Sequence, residues 1–279
     1  MDPETLWSER RNHRGRPPAH TREAVVATAI GVADAEGLSG LTMRAVATAL
    51  GSGTMSLYTY VSERDALLEL MIDAVTGEQE SPTASGDWRA DLAAFARAQR
   101  TLLRGHPWLP VALTGRRTLG PNALKALDHG LALLEPSGLA PSERAEAMAL
   151  VSGFVVTYIG REVAEHQALG RAGDARQFSE SNARYLATAA ASGAYPHLAA
   201  AMADTAAKEA KESKESKESK EAKEAKEAKE AKAIKATKAT NAARTTRAAE
   251  KNTAASTEQL PDPDQAFERM LAQLISGLG

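Results

Sequence analysis

The sequence contains no cysteine, which excludes disulfides, thiolate metal sites and cysteine nucleophiles together. Aromatic residues make up only 4% of the chain against 43% hydrophobic residues overall, so Ala and Leu carry the apolar content. That balance disfavours sheets, which lean on aromatic and β-branched residues, and favours helices. The first twenty residues are charged and lack the apolar stretch of a secretory leader. No uninterrupted apolar run approaches the length of a bilayer span. The chain therefore reads as soluble and cytoplasmic, with no membrane partner. The six histidines (His13, His20, His106, His129, His166 and His197) are scattered, and none has metal-ligand spacing. There is no phosphate loop and no nucleophile elbow. No catalytic residue, metal site or cofactor is predicted, although a paired-carboxylate site leaves no mark in sequence.

Charge of one sign is also missing, since the formal net charge is −2. Its distribution is uneven, however. Between Arg10 and Arg22 lie five arginines and no acid, a concentrated positive arm of the kind that phosphate attracts; a solvated tail is the alternative. Gly15, Pro17 and Pro18 oppose regular structure there, so residues 1–20 read as a flexible basic arm. From Lys208 to Lys232 the chain repeats Lys-Glu-Ser or Lys-Glu-Ala, with nine lysines and eight glutamates. Each three-residue step turns a helix by about 300°, so no apolar stripe forms, and 205–256 reads as an inserted, exposed segment. Its flank, Lys232 to Arg247, is basic without acids and leaves nucleic-acid contact open.

Elsewhere the apolar spacing is helical, and the fold class is all-α. Val25, Val26, Ala29, Ile30 and Ala33 predict a helix from Thr21, ended by a left-handed cap at Gly37. Thr42 caps a short helix running to about Leu50. Gly51-Ser52-Gly53 forms a tight turn into a very short helix, Thr54 to Tyr60. Ser62 opens the next helix through a capping box with Asp65, and that helix runs to about Thr76. After a linker at 77–86, helices are predicted at 87–104, 120–135, 141–169, 174–192 and from about 263. The last carries Phe267, Met270, Leu271, Leu274, Ile275 and Leu278 on one stripe.

Three helices over 21–76, the second and third joined by a glycine-containing turn, make a helix-turn-helix. A helix entering the major groove needs small hydrogen-bonding side chains, or apolar ones for thymine methyls. Thr54, Met55, Ser56, Thr59 and Tyr60 fit, while Leu57 points inward against Val46 and Leu50. Residues 41–73, LTMRAVATALGSGTMSLYTYVSERDALLELMID, resemble the DNA-binding domain of TetR-family transcriptional regulators. The resemblance implies that Tyr58 and Arg64 contact phosphates, with core packing the alternative for Tyr58. It implies that Thr42 presents its helix end to a phosphate, and that Thr54, Ser56, Thr59 and Tyr60 face base edges; Arg44 joins this DNA-facing set. The turn departs from the family pattern: Ser52-Gly53 stands where an aliphatic residue followed by Ser or Thr is usual, which predicts a looser turn. Arg14-Gly15-Arg16-Pro17 resembles the core of an AT-hook, whose Arg14 and Arg16 would enter a narrow minor groove; an arm merely attracted to phosphate fits equally.

GHPWLPVAL (105–113), GPNALKALDHGLALL (120–134) and GAYPHLAAAM (193–202), followed by DPDQAFERMLAQLISGLG (262–279), resemble the tetracycline-repressor-like C-terminal domain. That likeness implies a ligand-binding and dimerisation domain over 87–204 plus 257–279. It implies a homodimer joined by a four-helix bundle of about 141–169 and 263–279, a near-palindromic DNA operator, and an unidentified small-molecule effector. Pocket candidates are His106, Trp108, Leu109, Leu113, Leu127, Leu131, Phe154 and Tyr158, with ordinary core the alternative for each. The function expected is a sequence-specific repressor released from its operator by the effector. An architectural DNA-binding protein and an activator are the competing readings.

Overall fold

The computed structural model describes residues 6–7, 20–114, 120–171, 175–208, 211 and 263–278. Among them every regular element is helical. Helix α1 (Arg22–Gly40) starts where the Thr21 hydroxyl oxygen accepts from the Ala24 amide at 3.1 Å, and it buries Val25, Val26, Ala29 and Ala33. Gly37 does not end it. Its backbone (φ 69°, ψ −177°) breaks the helix without the left-handed helical geometry expected of a cap, and one more turn carries the chain to Gly40. Only glycine adopts such a conformation without strain.

Helix α2 (Met43–Ala49) is capped by Thr42, which accepts from the Ala45 amide at 3.1 Å. Helix α3 is a single turn (Thr54–Leu57), and α4 spans Arg64–Thr76. The residue flanking α4 is Glu63, one position later than the Ser62 expected, and its side chain makes no capping bond. Helix α4 is apolar on two sides. Leu67, Met71, Ile72 and Val75 are all fully buried, because α4 packs against α1 on one side and against α6 and α7 on the other.

The second half begins with α5 (Trp88–Gly105), capped by the Asp87 carboxylate on the Arg89 and Ala90 amides. Ser85 fixes the end of the preceding connector. Its amide and hydroxyl both donate to Asp91, at 3.0 and 2.7 Å, and hold that carboxyl below its ordinary pKa. Helix α6 (Leu109–Thr114) was not expected; it is six residues long and begins between two prolines, too short to show a helical period. Helices α7 (Pro121–Leu133), α8 (Pro141–Arg171), α9 (Ala175–Ala191) and α10 (Pro263–Ser276) follow. Residues 196–208 are helical as well.

The chain divides into two compact units, residues 1–171 with 266–279, and residues 172–265. In the first, α10 docks on α5 and α8 through an aromatic cluster. Phe267 stacks on Phe154 at 5.5 Å between ring centres and meets the edge of Tyr158 at 5.3 Å. Arg100 lies 4.1 Å above the Phe267 ring, and Arg97 clasps Glu268 at 2.7 Å. Leu6 is buried too, and its carbonyl accepts from Arg22 at 2.7 Å, so the stretch read as a flexible arm contains a packed position. In the second unit, α9 exposes Tyr185 and Leu186.

One feature of α8 escaped the sequence reading. Pro141–Gln167 contains a window of mean hydropathy 1.3, long and apolar enough to cross a membrane by length and composition, and only 33% of it is buried. Its apolar side chains point two ways. Val151, Val155 and Ile159 are fully buried, whereas Leu150 is 56% exposed.

The two halves of the first unit are tied by Asp73. This buried α4 carboxylate accepts from the amides of Asn122 and Ala123, both at 3.0 Å, and so caps α7 from another helix. Burial pushes its pKa up, against the pull of those two amides. Gly120 leaves room for it, since a Cβ there would meet the carboxylate. Asp73→Ala leaves two amides unpaired and is expected to lower stability by about 1–3 kcal/mol. Asp73→Asn keeps an acceptor without the charge and should stay within about 1 kcal/mol of wild type. Urea denaturation of both variants checks this.

Candidate nucleic-acid interface and its link to the core

The turn between α2 and α3 is closed by backbone bonds from Gly51 to the Thr48 carbonyl (3.1 Å) and from Ser52 to the Ala47 carbonyl (2.9 Å). Gly51 takes φ 69°, which a side chain would oppose. The Ser52 hydroxyl lies 2.9 Å from the Ser56 hydroxyl. The serine standing in place of an aliphatic residue thus ties the turn to α3 by a polar contact, and the looser turn expected is not what the structure shows.

After its one α-turn, α3 continues in tighter turns, Thr59 to Ser56 at 3.2 Å and Tyr60 to Leu57 at 2.9 Å. Leu57 is fully buried and Val61 nearly so. These two anchors fix which side chains face outward. Met55 is 80% exposed and Tyr58 44%. Thr59 is exposed, its hydroxyl donating to the Ser56 carbonyl at 2.6 Å. Thr54 and Ser56 are half-buried, and Thr42 and Arg44 are exposed on α2 and its cap. Arg14 and Arg16 lie outside the described residues.

Two of the expected contact residues are placed differently. Tyr60 turns back to α1: its ring packs on the core and its hydroxyl accepts from the His20 amide at 3.2 Å. The base-facing role expected of it would use the half-exposed part of the ring and the phenolic O–H donor that remains. Arg64 donates to the carbonyls of Leu41 (2.8 Å) and Leu38 (2.9 Å). Its guanidinium therefore fastens the α1–α2 turn to α4, and any phosphate contact uses the donors that remain.

Of the pocket candidates, His106 lines a cleft of about 280 Å³ with Glu78, Glu80, Thr101 and Leu102, and both it and Trp108 contact Asp34 of α1. The Trp108 indole donates to Asp34 Oδ1 at 2.7 Å. The two ring nitrogens of His106 face Asp34 Oδ1 at 2.8 Å and Glu78 Oε2 at 3.2 Å. Leu127 is also placed differently, 44% exposed on α7. Leu113, Leu131 and Phe154 are half-buried against the core, and Leu109 and Tyr158 are buried. Burial and the neighbouring Glu162 carboxylate raise the Tyr158 pKa, keeping the phenol neutral. Sequence reasoning missed Gln99, half-buried on the inner side of α5, whose Oε1 is buried with no hydrogen-bond partner. Its signal was available, since Leu92, Phe95, Ala96, Gln99 and Leu103 share one helical stripe. Among the described residues no group of three or more His, Asp or Glu side chains is arranged to hold a metal.

Residues 81–219 match the model of the tetracyclin repressor-like C-terminal domain. The HTH-type transcriptional repressor DrrR1 of Streptomyces coeruleorubidus is 42% identical over 207 residues, 72% of this chain and 76% of DrrR1. The chain belongs to the TetR family of transcriptional repressors. The tetracycline repressor protein class A from Escherichia coli is 28% identical, over 53% of this chain and 70% of that protein. Among solved structures, apo ActR from Streptomyces coelicolor superposes with a TM-score of 0.61 at 26% identity, covering 95% of this chain and 96% of ActR. ActR has also been solved with actinorhodin, at a TM-score of 0.60 and 26% identity, over 93% of this chain and 96% of that one. The helix-turn-helix of this TetR-family repressor is its DNA-binding element, and its chemistry is recognition rather than turnover.

The arrangement separates structural from recognition roles by experiment. Arg64→Ala removes two hydrogen bonds and is expected to cost about 1–3 kcal/mol of stability without any DNA present. Tyr58→Phe should change stability by less than about 0.5 kcal/mol, as surface substitutions do. Thermal melts of the DNA-free variants distinguish them.

Proposed function

We propose that this repressor works as a homodimer on a near-palindromic operator in the cytoplasm, and that a small molecule entering the helical core releases it. The observation that carries the reading is the division of labour on α3, where Leu57 and Val61 are buried while Met55, Tyr58 and Thr59 face outward. In this reading Thr54, Met55, Ser56 and Thr59 read base edges. Tyr58, Arg44 and the α2 end at Thr42 hold phosphates, with Arg64 adding its remaining donors. Arg14 and Arg16 contribute from the arm. One such helix reads few base pairs, and two on a symmetric dimer multiply affinity and set a half-site spacing.

The dimer reading is supported by α8. An apolar helix whose own chain covers a third of its most hydrophobic stretch has surface left for a partner of the same kind, and α10, with Met270 48% exposed, lies beside it. The effector reading is supported by Gln99 and by the half-buried Leu113, Leu131 and Phe154. A buried carbonyl oxygen without a donor costs about 1–3 kcal/mol, and a ligand hydroxyl or amine would satisfy it. ActR, similar over most of this chain, has been solved with actinorhodin.

Selection of genomic fragments at near-physiological salt, with excess nonspecific competitor, tests the DNA reading. Enrichment of one near-palindromic site is expected, with affinity falling steeply as salt rises. Thr59→Ala should change the preferred sequence, and Tyr58→Phe should weaken all sequences alike. Weak, sequence-blind binding would instead favour an architectural role. Leu150→Glu is expected to shift the sedimentation equilibrium toward monomer. With actinorhodin as the first effector probe, Gln99→Leu should keep or raise the melting temperature while weakening operator release by about tenfold, the effect of one lost hydrogen bond.

A further inference from the structure

We infer that Leu6 and Trp7 form a strap: the N-terminal segment fastens α1 to the joint between α4 and α7, and so limits how far the DNA-binding helices move against the core. Chain termini are poorly ordered unless something ties them down. Here two separate contacts do so. Leu6 is 7% exposed within the hydrophobic core, and its carbonyl accepts from the guanidinium of Arg22, the first residue of α1, at 2.7 Å. Trp7, next in the chain, is half-buried against the same core.

The position of the Trp7 ring gives the second contact its consequence. Gly120 immediately precedes Pro121, the first residue of α7. A Cβ on Gly120 would come within 2.7 Å of Trp7 Cη2, the far edge of the indole, and would also meet the Asp73 carboxylate of α4. Indole and carboxylate thus converge on one glycine. The backbone of Gly120, at φ −75° and ψ 167°, is one that any residue adopts. Space, and not backbone strain, is therefore what a side chain would lack there. Asp73 is 3% exposed and accepts from the Asn122 and Ala123 amides, so the Trp7 ring lies at the point where α4 caps α7.

Arg22 and Gly120 are far apart in sequence, and two consecutive residues span them. Asp73 holds the start of α7 to α4, and the strap holds it to α1. Movement of the α7 start away from α1 has to break the Arg22–Leu6 bond or the Trp7–Gly120 contact. Helix α7 also carries Leu131, one of the half-buried side chains of the proposed effector site. The strap therefore stands between that site and the helix-turn-helix. Its part in DNA binding rests on the proposed function; the contact itself does not.

The first tests are free of DNA and use the full-length protein. With tryptophan and glycine selectively labelled, the Trp7 ring protons, assigned by their loss in Trp7→Phe, should show nuclear Overhauser contacts to the α-protons of Gly120. Absence of these contacts would overturn the inference. Trp7→Ala should lower the melting temperature by about 2–4 °C, as a modest loss of packing does in a chain of this size. It should also speed amide exchange at Asn122, at Ala123 and in the first turn of α1 while leaving α8 unchanged. Unchanged exchange at the start of α7 would show that Trp7 does not hold the joint. Gly120→Ala attacks the same contact from the other side. If ring and glycine touch, the double variant should lose less than the two single losses added together; strict additivity would count against the contact.

The second test needs the operator. On the fragment enriched from genomic DNA, Trp7→Ala should bind about two- to fivefold more weakly than wild type, because a looser mount has to be ordered on binding, and should prefer the same sequence. Equal affinity would reject the strap's part in DNA binding. Failure to enrich any fragment would reject the operator reading, while the spectra and the exchange rates still decide the strap.

Discussion

The rest of the structure depends on α4 being apolar on opposite faces. A helix with one polar side could close the three-helix unit around α1 and α2, but it could not also close the core beneath it. Leu67, Met71, Ile72 and Val75 are all fully buried, so α4 is the wall shared by two hydrophobic interiors. Side chains of this size are worth about 1.5–3 kcal/mol each on burial, and the two interiors share that stabilisation. Moving α4 relative to either neighbour therefore exposes apolar surface on both sides.

Polar contacts contribute less energy than this burial but decide orientation. Arg64 pins the start of α4 to the carbonyls of Leu38 and Leu41, and Asp73, further along the same helix, caps α7. The first contact belongs to the DNA-facing end and the second to the core. The Asp34, Trp108 and His106 contacts then join α1 to the segment after α5 without passing through α4. Hydrogen bonds of this kind are directional and contribute about 1 kcal/mol net each. They select one among several well-packed arrangements rather than holding the packing together.

Much of this was legible in the sequence because it is local. Thr21, Thr42 and Asp87 sit at helix starts, and the helices after the linker fall within about two residues of the spans read from periodicity. Leu57 was read as pointing inward because its place on the helix sets it against Val46 and Leu50. What was not legible depends on partners far along the chain. Tyr58 and Tyr60 look alike in sequence, and only the His20 amide, forty residues away, distinguishes them. The contacts of His106 and Trp108 with α1 could not be read, since their partner Asp34 is more than seventy residues away. Helix α6 was too short to carry a period. Ser52 looked like the loss of a packing residue because its hydroxyl partner, Ser56, was itself reserved for bases.

The anchoring of α3 bears on how such a protein changes over time. The residues that hold it, Gly51, Leu57 and Val61, are not those it displays, Met55, Tyr58 and Thr59. Under the proposed function, substitution at Met55 or Thr59 would alter what is read without exposing apolar surface or breaking a backbone bond. Base preference can therefore drift through folded, stable intermediates. Ser56 is the exception, since its hydroxyl is shared between the turn and the reading face. A change there would be felt in both the shape and the vocabulary of the helix, which makes it the position where new specificity would meet a structural cost.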